Sequence, residues 1–92
     1  MIYRRSERFH KAFKDLPRVI QGKVIKAFTL FRENPEHPSL VIKKVKGREG
    51  VWEGRIDQQY RFTFHYEKDE TTGETICVFR NLDNHDECLK NP

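Results

Sequence analysis

From Tyr60 to Tyr66 the chain alternates with a strict period of two. Tyr60, Phe62, Phe64 and Tyr66 fall on one side, and Arg61, Thr63 and His65 on the other. A helix would scatter those rings around its axis, so the run reads as a strand with one apolar and one charged face. A slip of one residue would exchange the two faces, which fixes its register wherever the apolar side is buried. At 92 residues the chain can enclose one core and not two. The whole of residues 1–92 is therefore expected to form a single domain built around this strand.

The remaining segments supply what the strand must pack against. Ile2 and Tyr3 can open the chain as a short strand, and Ser6 is a good N-cap for a helix running to about Leu16. In that helix Phe9, Ala12, Phe13 and Leu16 make one apolar stripe, with His10, Lys11 and Lys14 elsewhere. Pro17 stops it and suits the start of a second helix, in which Ile20, Val24, Ala27, Phe28 and Phe31 recur with helical spacing until Asn34, Pro35 and Pro38. Leu40 to Lys46 reads as a strand, and a turn over residues 47–50 leads into a strand from Val51 to Asp57. Gln58 and Gln59 make a tight reversal into the alternating strand. Glu74 to Leu82 reads as the last strand, and Asp83 to Leu89 as a helical turn. The fold class is α+β: a short N-terminal strand, a helical hairpin, then a four-strand antiparallel meander with the helices on one face.

Charge is unevenly distributed. Residues 1–66 carry 15 Lys or Arg against 7 Asp or Glu, whereas residues 67–92 carry 3 against 7. A basic body attracts polyanions, and it is equally the composition of solvated helix faces. No apolar stretch marks a signal peptide or a membrane span, so a soluble cytoplasmic protein is expected. Cys77 and Cys88 read as ordinary reduced thiols. No paired Cys or His spacing suggests a metal and no glycine-rich loop cradles a phosphate, so no cofactor is expected.

Alternation along Val51–Asp57 sets Trp52, Gly54 and Ile56 against Glu53, Arg55 and Asp57. Paired as a hairpin, the two strands place Glu53, Arg55, Arg61 and His65 together on the open face. Two adjacent guanidiniums repel unless an anion lies between them, and Arg suits bidentate phosphate contacts. Alternatively, Glu53 and Asp57 neutralise the arginines as a cross-strand salt-bridge ladder. Lys43, Lys44, Lys46 and Arg48 are candidates for RNA contact or for protecting an edge strand. Trp52 and Tyr60 can stack bases, though their apolar side argues for core. Past the last strand, His85 has the right intrinsic pKa for proton transfer, with Asp86 beside it to orient it.

The element order, the run Trp52-Glu53-Gly54-Arg55-Ile56-Asp57-Gln58-Gln59-Tyr60-Arg61-Phe62 and the closing Arg80 to His85-Asp86 together resemble the RelE/ParE superfamily of bacterial toxins, most closely its RelE- and YoeB-type mRNA-cleaving members. The resemblance implies a metal-independent endoribonuclease that cuts mRNA, generally in the ribosomal A site of the 30S subunit. It also implies a cognate antitoxin whose disordered segment wraps the toxin, with operator DNA bound only through that antitoxin. By position, Arg61 matches the arginine near the scissile phosphate, His85 the C-terminal acid, and Arg55 a basic position on the preceding strand, while Arg80 joins the RNA-contacting cations. Glu53 is the nominated general base, with His65 second; neither carries over from a family motif. The several lysines of the RelE third strand are replaced here by Trp52, Gly54 and mixed charge, and no aromatic follows His85. ParE-like members share the fold and act on DNA gyrase, so a toxin without nuclease activity, or a catalytically silent nucleic-acid or antitoxin-binding member, stands as the alternative.

Overall fold

The computed structural model describes all 92 residues. Strand β1 (Ile2–Arg5) leads into helix α1 (Glu7–Asp15) and helix α2 (Arg18–Glu33). A single 3₁₀ turn (Pro38–Leu40) precedes β2 (Lys43–Lys44), β3 (Trp52–Arg55), β4 (Tyr60–Lys68), β5 (Thr75–Asn84) and a closing helix α3 (His85–Lys90). The five strands form one mixed sheet in the order β1-β5-β4-β3-β2. β1 runs parallel to β5, and every other neighbour is antiparallel. The expected meander is present, and the opening strand closes its far edge beside the last strand. No helix is long and apolar enough to cross a membrane.

The helix starts are set by local chemistry. Ser6 Oγ accepts the Phe9 N–H at 3.0 Å, a cap worth about 1 kcal/mol. The same hydroxyl donates to the Arg80 carbonyl at 2.8 Å, and the Ser6 N–H donates to the Phe79 carbonyl at 2.9 Å. The junction between β1 and α1 is thereby fastened to β5. Between the helices and the sheet lies an aromatic core in which Phe79 stacks on Phe28, ring centroids 4.4 Å apart, and meets Phe9, Phe31 and Phe62 at 5.7 to 6.1 Å. Ring pairs of this geometry contribute about 0.5–1.5 kcal/mol each beyond their burial.

Several boundaries differ from those expected. The strand expected over Leu40–Lys46 shrinks to Lys43–Lys44, because the 3₁₀ turn sends Leu40 into the core and ends on Val41 at φ +46°. The expected two-residue reversal is a four-residue loop over 56–59. It is held by Asp57, whose carboxylate accepts the N–H groups of Gln59 and Tyr60, both at 2.8 Å. β3 consequently stops at Arg55. Of the four rings alternating on β4, only Phe62 and Phe64 are fully buried; Tyr60 and Tyr66 sit at the ends of the strand, half-buried and exposed respectively. Trp52 is likewise half-buried, with the Lys44 ammonium 5.5 Å from its ring centroid.

Gly54 explains how β3 packs so tightly on the core. It pairs with Phe62, and a Cβ there would fall inside the Phe62 ring and against the Ile42 side chain. Overpacking of this kind costs typically 1–3 kcal/mol. Gly54→Ala is therefore expected to lower the unfolding free energy by that amount, read as a lower urea midpoint with an unchanged m-value, whereas Gly22→Ala, which meets nothing on the helix surface, is expected to leave the midpoint equal or higher.

Candidate functional site

The strand register brings the expected cations together at one end of the sheet. Arg55 lies directly across from Arg61, and Arg61 across from Asp83 on β5. Two rungs inward, on the same face, Glu53 pairs with Thr63, and Thr63 with Asn81. Two residues beyond Asp83, His85 begins α3, and its N–H donates to the Gln59 carbonyl at 2.6 Å. Arg55, Arg61 and His85 thus flank the loop over residues 56–59.

Neither arginine has an ion-pair partner. The two carboxylates that could have formed a ladder are taken by lysines instead: Asp57 by Lys23 of α2 at 3.2 Å, and Glu53 by Lys43 of β2 at 3.8 Å. Arg61 as a residue is 8% exposed, and its guanidinium uses Nη1 to hold the carbonyls of Asp57 and Tyr60, leaving Nε and Nη2 without a protein acceptor. Burial, and after it the Arg55 charge, push the Arg61 pKa down, opposed by Glu53 and Asp57. A guanidinium so treated remains protonated at neutral pH, so the pair is a standing concentration of positive charge. The Nε of Arg55 is the buried side-chain nitrogen without any acceptor.

The face carrying these groups is not open, as expected from the strands alone, but roofed by α3 and the C-terminal tail. The Pro92 carbonyl accepts from Thr63 Oγ1 and Arg80 Nε, both at 2.9 Å, and the Asn91 carbonyl accepts from Asn81 Nδ2 at 2.8 Å. Glu53 is only 4% exposed beneath this roof. A tail docked through its own backbone carbonyls leaves no pattern in its side chains, which is why sequence alone does not disclose it. Asp83, on the Arg61 rung, also escaped notice, because it follows the expected end of the last strand.

The other candidates separate from this cluster. A bulge makes Arg80 the extra residue of β5, between Asn81, opposite Thr63, and Phe79, opposite Phe64. Its Nη1 lies 2.8 Å from His65 Nδ1, and His65 Nε2 lies 3.0 Å from Glu67. Since Arg only donates, His65 Nδ1 accepts and Nε2 carries the proton. Both ring nitrogens are then occupied. Lys43 and Lys44 belong to β2, while Lys46 and Arg48 lie on the exposed turn at the opposite end of β3 from Arg55. The His85 side chain is 46% exposed, and its Nδ1 lies 3.2 Å from Asp86, leaving Nε2 free to face solvent.

Of the two thiols, burial pushes Cys77 up to about 12 and Cys88 to about 11. The buried state retains their protons while the unfolded chain releases them, so stability is fully present below about pH 9 and falls as the pH rises toward 11–12. Denaturant midpoints measured from pH 8 to 11 are expected to decline, with less decline in Cys77→Ala, and a thiol reagent at neutral pH is expected to label both cysteines only on unfolding.

No protein-family model and no curated protein sequence matches the chain. Solved structures do. A YoeB/ParE toxin from Agrobacterium tumefaciens superposes with a TM-score of 0.71 at 15% identity, over 92% of this chain and 99% of that one. The RelB-RelE antitoxin-toxin complex from Methanococcus jannaschii gives 0.65 at 18% identity over the full length of both chains. The Escherichia coli DinJ-YafQ toxin-antitoxin complex gives 0.68 at 13% identity, covering 92% of each. The chain has the fold of these toxins.

Proposed function

We propose that this chain, built on the RelE/YoeB-type toxin fold, is the toxin of a toxin–antitoxin pair and acts as an endoribonuclease on mRNA. The observation that carries the reading is the pair Arg55 and Arg61, facing each other across two strands without a carboxylate partner and flanked by the free Nε2 of His85. An RNA phosphate is the anion this arrangement lacks.

The chemistry needs only groups the chain supplies. A base removes the ribose 2′-OH proton, and that oxygen attacks the adjacent phosphorus in line. The bond to the 5′-oxygen breaks, giving a 2′,3′-cyclic phosphate and a 5′-hydroxyl. Arg61 and Arg55 stabilise the charge that develops on the phosphoryl oxygens, and His85 gives its proton to the departing 5′-oxygen. Glu53 suits the base role better than His65, whose nitrogens are both engaged. Because Glu53 lies under the C-terminal roof, this reading has that segment shift aside when RNA enters. Lys43, Lys44, Lys46, Arg48 and Arg80 serve as further RNA contacts in the same reading, with Arg80 exchanging its tail carbonyl for phosphate. The partners are a cognate antitoxin, of the kind that RelB and DinJ are in the superposed complexes, and the ribosomal A site in the cytoplasm. Operator DNA is reached through the antitoxin.

The test is the purified chain on translating ribosomes, with mRNA ends mapped before and after. Arg55→Ala, Arg61→Lys and His85→Gln are each expected to slow cleavage by on the order of 100-fold or more, the usual loss when one transition-state donor or acid is removed. Arg61→Lys is chosen over Ala to keep a donor for the loop carbonyls. Intact mRNA with the unmodified chain, or equal cleavage by all the variants, defeats the reading. Growth arrest with DNA damage and intact mRNA points to gyrase.

A further inference from the structure

A cleft separate from the Arg61–His85 pair opens where α2 passes the uncovered edge of β3. β2 pairs only with Trp52 and Glu53, so the edge at Gly54 and Arg55 has no neighbouring strand. Arg55 lines this cleft together with Lys23 and Lys26 of α2, the Ser39 hydroxyl and Asp57. Its volume is about 270 Å³, below the roughly 300 Å³ at which sites for drug-sized molecules begin and ample for a single phosphodiester group.

Its charge is unbalanced. Three cations face one carboxylate, and that carboxylate is already committed. Burial works to raise the Asp57 pKa, but the hydrogen bonds from Tyr60, Gln59 and Lys23 outweigh it and hold the group below the usual carboxylate range. Lys26 has no ion-pair partner anywhere in the chain. Arg55 has none either, and its Nε is shut off from water with no acceptor. Burying a charged donor without an acceptor is unfavourable, so an anion seated in the cleft that Arg55 borders would offset a cost that folding leaves in place.

We infer that the cleft lined by Lys23, Lys26 and Arg55 is an anion subsite that holds a backbone phosphate of single-stranded RNA adjacent to the phosphate held at Arg61 and His85. Arg55 makes the connection, because it borders the cleft and stands across from Arg61. The assignment to RNA rests on the nuclease reading above, whereas the anion subsite itself rests only on the cleft. A tetrahedral phosphodiester suits three cations approaching from two elements better than a planar carboxylate, which pairs with one guanidinium fork.

Two measurements test it. In the first, the Arg55 Nε–H resonance is followed by NMR while inorganic phosphate is added. It is expected to shift and saturate in the unmodified chain, and to saturate at higher phosphate in Lys26→Ala. In the second, a 2′-O-methyl RNA oligonucleotide, which lacks the nucleophile and cannot be cut, is bound across a salt series. Lys26→Ala is expected to weaken binding at low salt by about fivefold, the upper range for one exposed ionic contact, and to make the log–log salt slope shallower by about 0.7, one phosphate's worth for a single strand. A resonance that phosphate does not move overturns the subsite. A salt slope equal in both proteins, or an oligo-glutamate peptide that shifts the resonance at lower concentration than RNA does, overturns the assignment to RNA. If the chain cuts no mRNA yet the slope still changes with Lys26→Ala, the nuclease reading fails and the subsite stands.

Discussion

The burial of Phe62 and Phe64 against Phe79 decides where every charged group of the sheet ends up. With those rings locked beneath the helices, Arg61, Thr63 and His65 have only the opposite face available, and the β3 register follows because Gly54 is the residue that fits over Phe62. A slip of one residue would drive Arg61 into an aromatic core with no acceptor, and an uncompensated buried charge costs several kcal/mol. The packing that stabilises the sheet is therefore also what sets two guanidiniums opposite each other.

Such an arrangement is unfavourable taken alone, and the chain does not relieve it. Lys23 and Lys43, from α2 and from the edge strand, take the nearby carboxylates in partly exposed ion pairs, each of which contributes at most about 1 kcal/mol. The result is a separation of roles. Lysines from α2 and β2 neutralise the acids, and the arginines near the loop over residues 56–59 keep their field. A surface selected only for stability would gain from pairing Glu53 or Asp57 with Arg55.

Both long helices, the alternating strand and the α+β order were legible, because their periods repeat over enough residues to outweigh local exceptions. Ser6 and Pro17 marked the first helix's start and stop through capping chemistry that is itself local. What was not legible depends on distant contacts. Leu40–Lys46 has the composition of a strand, but the turn ending at Val41 delays the ladder to Lys43. The ladder of Glu53 and Asp57 with the arginines was a fair reading of two strands, and only the approach of α2 shows Lys23 taking Asp57 across 34 positions. Arg55, Arg61 and His85 were named from strand alternation and resemblance, and the register does bring them to one end of the sheet. The roof over Glu53 is held by carbonyls of Asn91 and Pro92, groups every residue possesses.

The parallel pairing of β1 with β5 joins residues 2–5 to residues 76–79, almost the full span of the chain. Contacts so remote in sequence form late, since the loop between them must close before they give any return. On a translating ribosome the first strand has no partner until the last has emerged, and Phe79, the ring on which the core converges, arrives with it. Arg61 has no strand beside it on the β5 side, and His85 has not been made. A nascent chain of this design stays unassembled until residues 75–84 have emerged, so any activity the finished sheet possesses must wait for them.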